Sequence, residues 1–221
     1  MELLLQTLPA AVPTLAWAAH ALYLARRLRA ARTDPLTGLM CRDEFTARAR
    51  RAVKHPHAAV LLLDLDDFKR TNDSYGHDVG DEVLAAVGRR LATWCEARHG
   101  FAARLGGDEF TAVVRLAPEV DAHAELSYFG GLDGELSAPV DVGSAQLFPR
   151  ASIGLCRRSD RPGAGLSQLL RGADEAMYRA KRLGTRSQVA IQPDVYATVR
   201  GRRQGRPGTA VFSLPGREGV R

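Results

Sequence analysis

Ala58-Ala59-Val60-Leu61-Leu62-Leu63-Asp64-Leu65-Asp66-Asp67 is the stretch on which the fold turns. Its apolar part, Ala58 to Leu65, is a short run with the length and composition of a buried strand. Carboxylates close it, and an acidic side chain at the end of a buried strand needs a physical reason. Further along, Gly106-Gly107-Asp108-Glu109 lies between Ala102 to Leu105 and Phe110 to Leu116, which reads as strand, tight turn, strand. If these strands are neighbours, Asp64 and Asp66 meet Asp108 and Glu109 at one edge of the sheet. Converging carboxylates repel, so they need a shared proton or a bound cation. Hard oxygen ligands suit Mg²⁺, which commonly joins one or two carboxylates with substrate phosphates. The two glycines let a ligand approach the backbone closely. The plainer alternative has Asp64 and Asp66 capping the next helix and Gly106-Gly107 serving only as a turn.

Working outward, Asp34-Pro35-Leu36-Thr37-Gly38 is a turn cluster. The spacing predicts helices over Arg42 to Lys54, Asp66 to Asn72 and Val79 to Arg98. In the last of these, Val83, Leu84, Val87 and Leu91 share a face. A further helix is expected from Glu119 to Leu136, interrupted near Gly130-Gly131. Strands at Pro139 to Val142 and Leu147 to Cys156 follow, then a helix from Leu166 to Leu183 and a strand from Gln188 to Ile191. The class is α+β: a central antiparallel sheet flanked by helices, ferredoxin-like, preceded by an N-terminal apolar helix.

Bulk composition narrows the chemistry. The chain has 221 residues, enough for one core of ordinary size with short extensions. Its net charge of +6 invites an anionic partner. The Arg-rich clusters at Arg26, Arg27, Arg29 and Arg32, and from Arg200 onward, have no interleaved aromatics for base stacking, so no nucleic-acid partner is expected. Cys41, Cys95 and Cys156 have neither zinc-site nor disulfide-framework spacing, which points to a reducing cytosol. Residues 3–25 contain no Lys or Arg and reach the roughly 20 residues needed to cross a bilayer. Arginines follow at once, so the positive-inside tendency puts residue 27 onward in the cytoplasm, at the inner face of the membrane. Pro9, Pro13, Gln6 and His20 favour the other reading of residues 1–26, an amphipathic docking or dimerisation helix, while charge after the apolar run argues against a signal peptide. Residues 27–33 read as a basic linker, 34–192 as the folded domain, and 193–221 as a Gly/Pro/Arg-rich tail expected to be disordered.

Taken together, Asp64 to Asp73, Gly76-His77, Gly80-Asp81 and Arg104-Leu105-Gly106-Gly107-Asp108-Glu109-Phe110 resemble the GGDEF family of diguanylate cyclases. The likeness extends to Asp34-Pro35-Leu36-Thr37-Gly38-Leu39 and Arg42 upstream. Downstream it takes in Ser152-Ile153-Gly154 and Ala173 through Lys181. This resemblance implies condensation of two GTP into cyclic di-GMP and two pyrophosphates, with a homodimer presenting one GTP from each domain. It implies two divalent ions, Mg²⁺ or Mn²⁺, at each GTP site, held by Asp64, Asp108 and the Leu65 carbonyl. Glu109 becomes a ligand or part of the proton path. Asn72 and Asp81 read guanine, whose edge an amide and a carboxylate can match. Lys69 and Lys181 neutralise β- and γ-phosphates, with help from the amides where the helix begins at Phe68.

Some positions depart from the family pattern. Its product-feedback site carries Arg-x-x-Asp, and the matching positions here are Ala97 and Gly100, so that feedback is not expected. After Lys181 the chain reads Gly184-Thr185-Arg186 where a cation usually occupies the middle position; the cation is displaced by one residue to Arg186, and whether it reaches the triphosphate is left open by the sequence. Cys41 replaces a usual Asn. The competing reading is a catalytically quiet domain that binds GTP or a protein partner as a regulator. Arg104 is expected to hold a carboxylate near the hairpin, His77 to be structural, and Met177 and Tyr178 to face the core.

Overall fold

The computed structural model describes residues 14–23, 32–116, 131–143 and 145–190. Expectations for the ends of the apolar helix, the basic linker, most of the helix begun at Glu119 and the C-terminal tail lie outside these residues. Residues 14–23 are helical (α1), with Leu15, Trp17, Leu22 and Tyr23 exposed. Among the described residues no helix is long and apolar enough to cross a membrane. The bilayer span expected over residues 3–25 therefore has no support in the described helix.

Period-two alternation in β1 (Ala58–Leu65) organises everything else. All eight residues are buried. Leu61, Leu63 and Leu65 point to one core, against Val83, Leu84, Val87, Leu91 and Trp94 of α4 (His77–Glu96). Val60 and Leu62 point to a second core, against Phe45 and Ala49 of α2 (Arg42–Ala52) and Leu169, Ala173 and Met177 of α6 (Leu166–Leu183). β1 is thus the centre of a sheet covered on both faces. The sheet order is β2 (Phe101–Gly106), β3 (Glu109–Arg115), β1, β6 (Ala151–Arg157), β7 (Ser187–Val189). Gly154 of β6 lets α6 lie close, because a Cβ there would come 2.0 Å from the Ala173 carbonyl. A separate hairpin, β4 (Val140–Val142) with β5 (Ala145–Leu147), follows α5 (residues 131–136). Arg90 of α4 ties that segment down by donating to the carbonyls of Ala138 (2.6 Å) and Pro139 (2.7 Å).

Four expectations need correction. The sheet is not wholly antiparallel: β7 runs parallel to β6, because α6 crosses over between them. The short helix is α3 (Phe68–Tyr75) and not Asp66 to Asn72, since Asp67 adopts a left-handed φ of 54° that reverses the chain before the helix starts. The strand expected from Leu147 to Cys156 is two strands. Pro149, which has no N–H to donate, lies in the break between them. The final strand is Ser187–Val189, starting before Gln188.

Candidate active site

Strand parity decides what meets Asp64. It shares the even face with Val60 and Leu62 and so turns towards α6. The buried stripe of α6 runs Leu166, Leu169, Leu170, Ala173, Ala176, Met177, Ala180, and Lys181 continues it one turn beyond Met177. The Lys181 ammonium donates to Asp64 Oδ1. Asp64 is only 1% exposed, so this ion pair compensates a carboxylate nearly removed from water.

The glycine turn comes to the same place. In the antiparallel register Asp64 faces Glu109 of β3 on one side and Ser152 of β6 on the other. Such partners have Cα atoms about 4.5–5.5 Å apart. The Leu65 amide donates to the Asp108 carbonyl (3.2 Å), which sets Leu65 between the two acidic positions. Gly107 has φ 55°, which a residue with a Cβ adopts at a cost. Two arginines fix the hairpin from outside. Arg104 Nε donates to the Gly107 carbonyl (2.9 Å) while its Nη1 reaches both Asp34 oxygens (3.2 and 3.3 Å). Arg42 Nη2 donates to the Leu105 carbonyl (2.9 Å). Burial raises the Asp34 pKa, but the Thr37 amide and hydroxyl (2.9 and 2.7 Å) and the Arg104 charge outweigh it, and the net shift is downward.

Asp66 leaves the carboxylate group. It accepts from Ser152 Oγ (2.8 Å), and its amide donates to the Arg150 carbonyl (2.8 Å), so it joins β1 to β6. The N-cap position of α3 belongs to Asp67, whose side chain makes no capping hydrogen bond.

Next to the carboxylates, α3 and α4 form a tight helical corner. Phe68 is half-buried against the first core, and Lys69 is exposed on the opening turn of α3. Asn72 lies directly on Gly80, where a Cβ would come 1.8 Å from Asn72 Oδ1. That oxygen is buried and has no hydrogen-bond partner. Asp81, the next residue, is exposed. An unsatisfied acceptor beside an exposed carboxylate matches a ligand edge rich in N–H donors.

Among the described residues no three His, Cys, Asp or Glu side chains are grouped closely enough to hold a metal by themselves. The Lys181 contact does show that Asp64 is built to hold positive charge. Asp64 with the Asp108 position fits an ion that takes one or two carboxylates and completes its shell with water and phosphate.

Other expected residues fall elsewhere. Arg186 pairs with Asp133 of α5, and its carbonyl accepts from the Ile153 amide (2.9 Å), so its guanidinium is engaged with that helix. Arg104 holds Asp34 as expected, and Met177 is buried. His77 opens α4, exposed. Ala97 is the C-cap of α4, and a Cβ at Gly100 would come 2.4 Å from the Val113 carbonyl. A side chain at position 100 would therefore need the backbone to shift. Sequence reasoning gave Arg42 no role. Its partner lies 63 residues away, and no local pattern marks such a contact.

Residues 31–187 match the family model described as diguanylate cyclase, GGDEF domain. The chain is 46% identical to an uncharacterized 19.3 kDa protein of the repSA 5′ region of Streptomyces ambofaciens, covering 80% of this chain and 92% of that protein. It is 37% identical to the diguanylate cyclase DgcN of Escherichia coli over 71% of this chain, but spans only 38% of DgcN. The solved coiled coil and GGDEF domain of DgcB from Caulobacter crescentus, in complex with c-di-GMP, superposes with a TM-score of 0.69 at 27% identity. That alignment covers 84% of this chain and 99% of that one.

Proposed function

Because the chain belongs to the GGDEF diguanylate cyclase family, we propose that it condenses two GTP molecules into cyclic di-GMP with release of two pyrophosphates. The observation that carries this is the buried Asp64 set beside the Asp108–Glu109 turn and countered by Lys181. In this reading Asn72 Oδ1 accepts from a guanine N–H, and Asp81 takes the neighbouring donor. Lys69 and Lys181 neutralise the β- and γ-phosphates, and Asp64, Asp108 and the Leu65 carbonyl hold Mg²⁺ or Mn²⁺, two ions per site. Bound there, the metal supplies Lewis-acid stabilisation of the α-phosphoryl group and of the departing pyrophosphate. The 3′-oxygen of each GTP forms a bond to the α-phosphorus of the other as the bond to pyrophosphate breaks, and Glu109 takes part in removing the hydroxyl proton. Two domains must face each other for both bonds to form, so a homodimer is required.

Incubating the full chain with GTP and Mg²⁺ or Mn²⁺ should yield cyclic di-GMP and pyrophosphate. Asp108→Ala should abolish turnover while the thermal melt stays cooperative. The second reading, a GTP-binding regulator without turnover, is favoured by Thr185 and by the engagement of Arg186 with Asp133. GTP binding without pyrophosphate release would select it.

A further inference from the structure

The far end of the sheet has a different character from the carboxylate end. Asp64 lies six residues beyond the start of β1 at Ala58, so at about 3.3 Å per residue the two are roughly 20 Å apart. Two open grooves meet at Ala58, with volumes of about 530 and 410 Å³. Arg48, Arg51 and Arg115 line the first, while Lys54, Arg157 and Arg158 line the second. Register explains the gathering: Arg115 pairs with Ala58, Arg157 pairs with Ala59, and α2 ends just before β1 begins. Among the described residues that line the grooves Glu44 is the only acid, and Arg32 engages it at 3.4 Å. Arg157 donates to Asp160 beside the second groove (2.7 Å), which leaves Arg48, Arg51, Arg115, Lys54 and Arg158 to carry the positive charge.

We propose that this cationic end docks on an anionic phospholipid surface. Opposed charge is the first argument, since a cluster of this size is attracted to acidic headgroups. Continuity is the second. Glu44, Arg48 and Arg51 share one face of α2, and Glu44 grips Arg32 at the end of the basic linker. The chain therefore enters the domain at this same face, and α1, earlier in the sequence, exposes Trp17, Leu22 and Tyr23. Trp and Tyr suit the headgroup region of a bilayer. Among the described residues Phe101 is the only aromatic lining either groove apart from histidines, and Arg48 covers it at 4.3 Å, so these residues present no platform for stacked bases. Docked in this way, the carboxylate end faces away from the lipid.

Sedimentation of the full chain with phosphatidylcholine vesicles, with or without phosphatidylglycerol, tests the proposal. Binding should require phosphatidylglycerol and fall away between about 0.1 M and 1 M salt, as the Debye length shrinks from about 10 to 3 Å. The Arg51→Glu/Lys54→Glu/Arg115→Glu variant should lose at least about twentyfold in vesicle partition. The corresponding triple Gln variant should lose less and serves if charge reversal disturbs folding. Equal binding to phosphatidylcholine alone would overturn the proposal, since the apolar N-terminal segment would then suffice. So would unchanged partition of a folded triple variant, or displacement from vesicles by duplex DNA or RNA.

Discussion

Lys181 occupies the position where a cation is wanted, and the site's chemistry can be interrogated through it. Removing one member of a buried ion pair strands the other, at a cost of about 3–5 kcal/mol. Lys181→Met is therefore expected to lower the metal-free melting temperature and to let Mg²⁺ restore more stability than it adds to the native chain. Mn²⁺ binding followed by paramagnetic resonance should tighten in this variant even as GTP binding weakens. Unchanged Mn²⁺ affinity would show that the ammonium and the metal do not share Asp64. Asp34 gives a second test. Its folded pKa lies below the usual 3.8, so its stabilising effect is complete above about pH 4 and is lost as pH falls through the folded value. Asp34→Asn should reduce stability at pH 7 by about 1–2 kcal/mol, with the deficit shrinking in acid, as denaturant titrations at several pH values would show. Asp64 and Asp108 were readable in the sequence because carboxylates break an apolar pattern. The Lys181 partnership was not, since it depends on strand parity meeting a helix 117 residues later.

Single-period elements were legible and their junctions were not. β1 and α6 follow from uninterrupted apolar patterns, and both appear at the expected bounds. The misread starts and stops fall where one backbone angle or one missing donor decides, at Asp67 and Pro149. The link from α4 to β2 is such a junction. Gly100 packs against the β3 backbone, and its amide donates to the Cys95 carbonyl (2.8 Å). Gly100→Asp is expected to destabilise the domain by about 2–4 kcal/mol by overpacking this contact. Paired with Ala97→Arg it should fail to restore product feedback. Chemical denaturation and product titration of the double variant check both outcomes.

At the scale of the whole molecule, the two cores on either side of the sheet decide which groups solvent can reach. Cys95 lies in the first core and Cys156 in the second, and burial pushes their thiols up to about 12 and about 11. Half-buried Cys41 lies at the start of α2. Alkylation of the native chain near pH 8 should modify Cys41 alone, and all three thiols should react in denaturant, as mass spectrometry would show. Early modification of Cys95 or Cys156 would mean that a core opens locally. The crossover that brings α6 back onto β1 also has a consequence for synthesis. The Lys181 ammonium that meets Asp64 is among the last parts of the domain to leave the ribosome, so a nascent chain halted before it must bury its central strand without that ion pair. Chains cut short there should be poor at closing their cores, which makes the docking of the final helix a checkpoint between folding and competence.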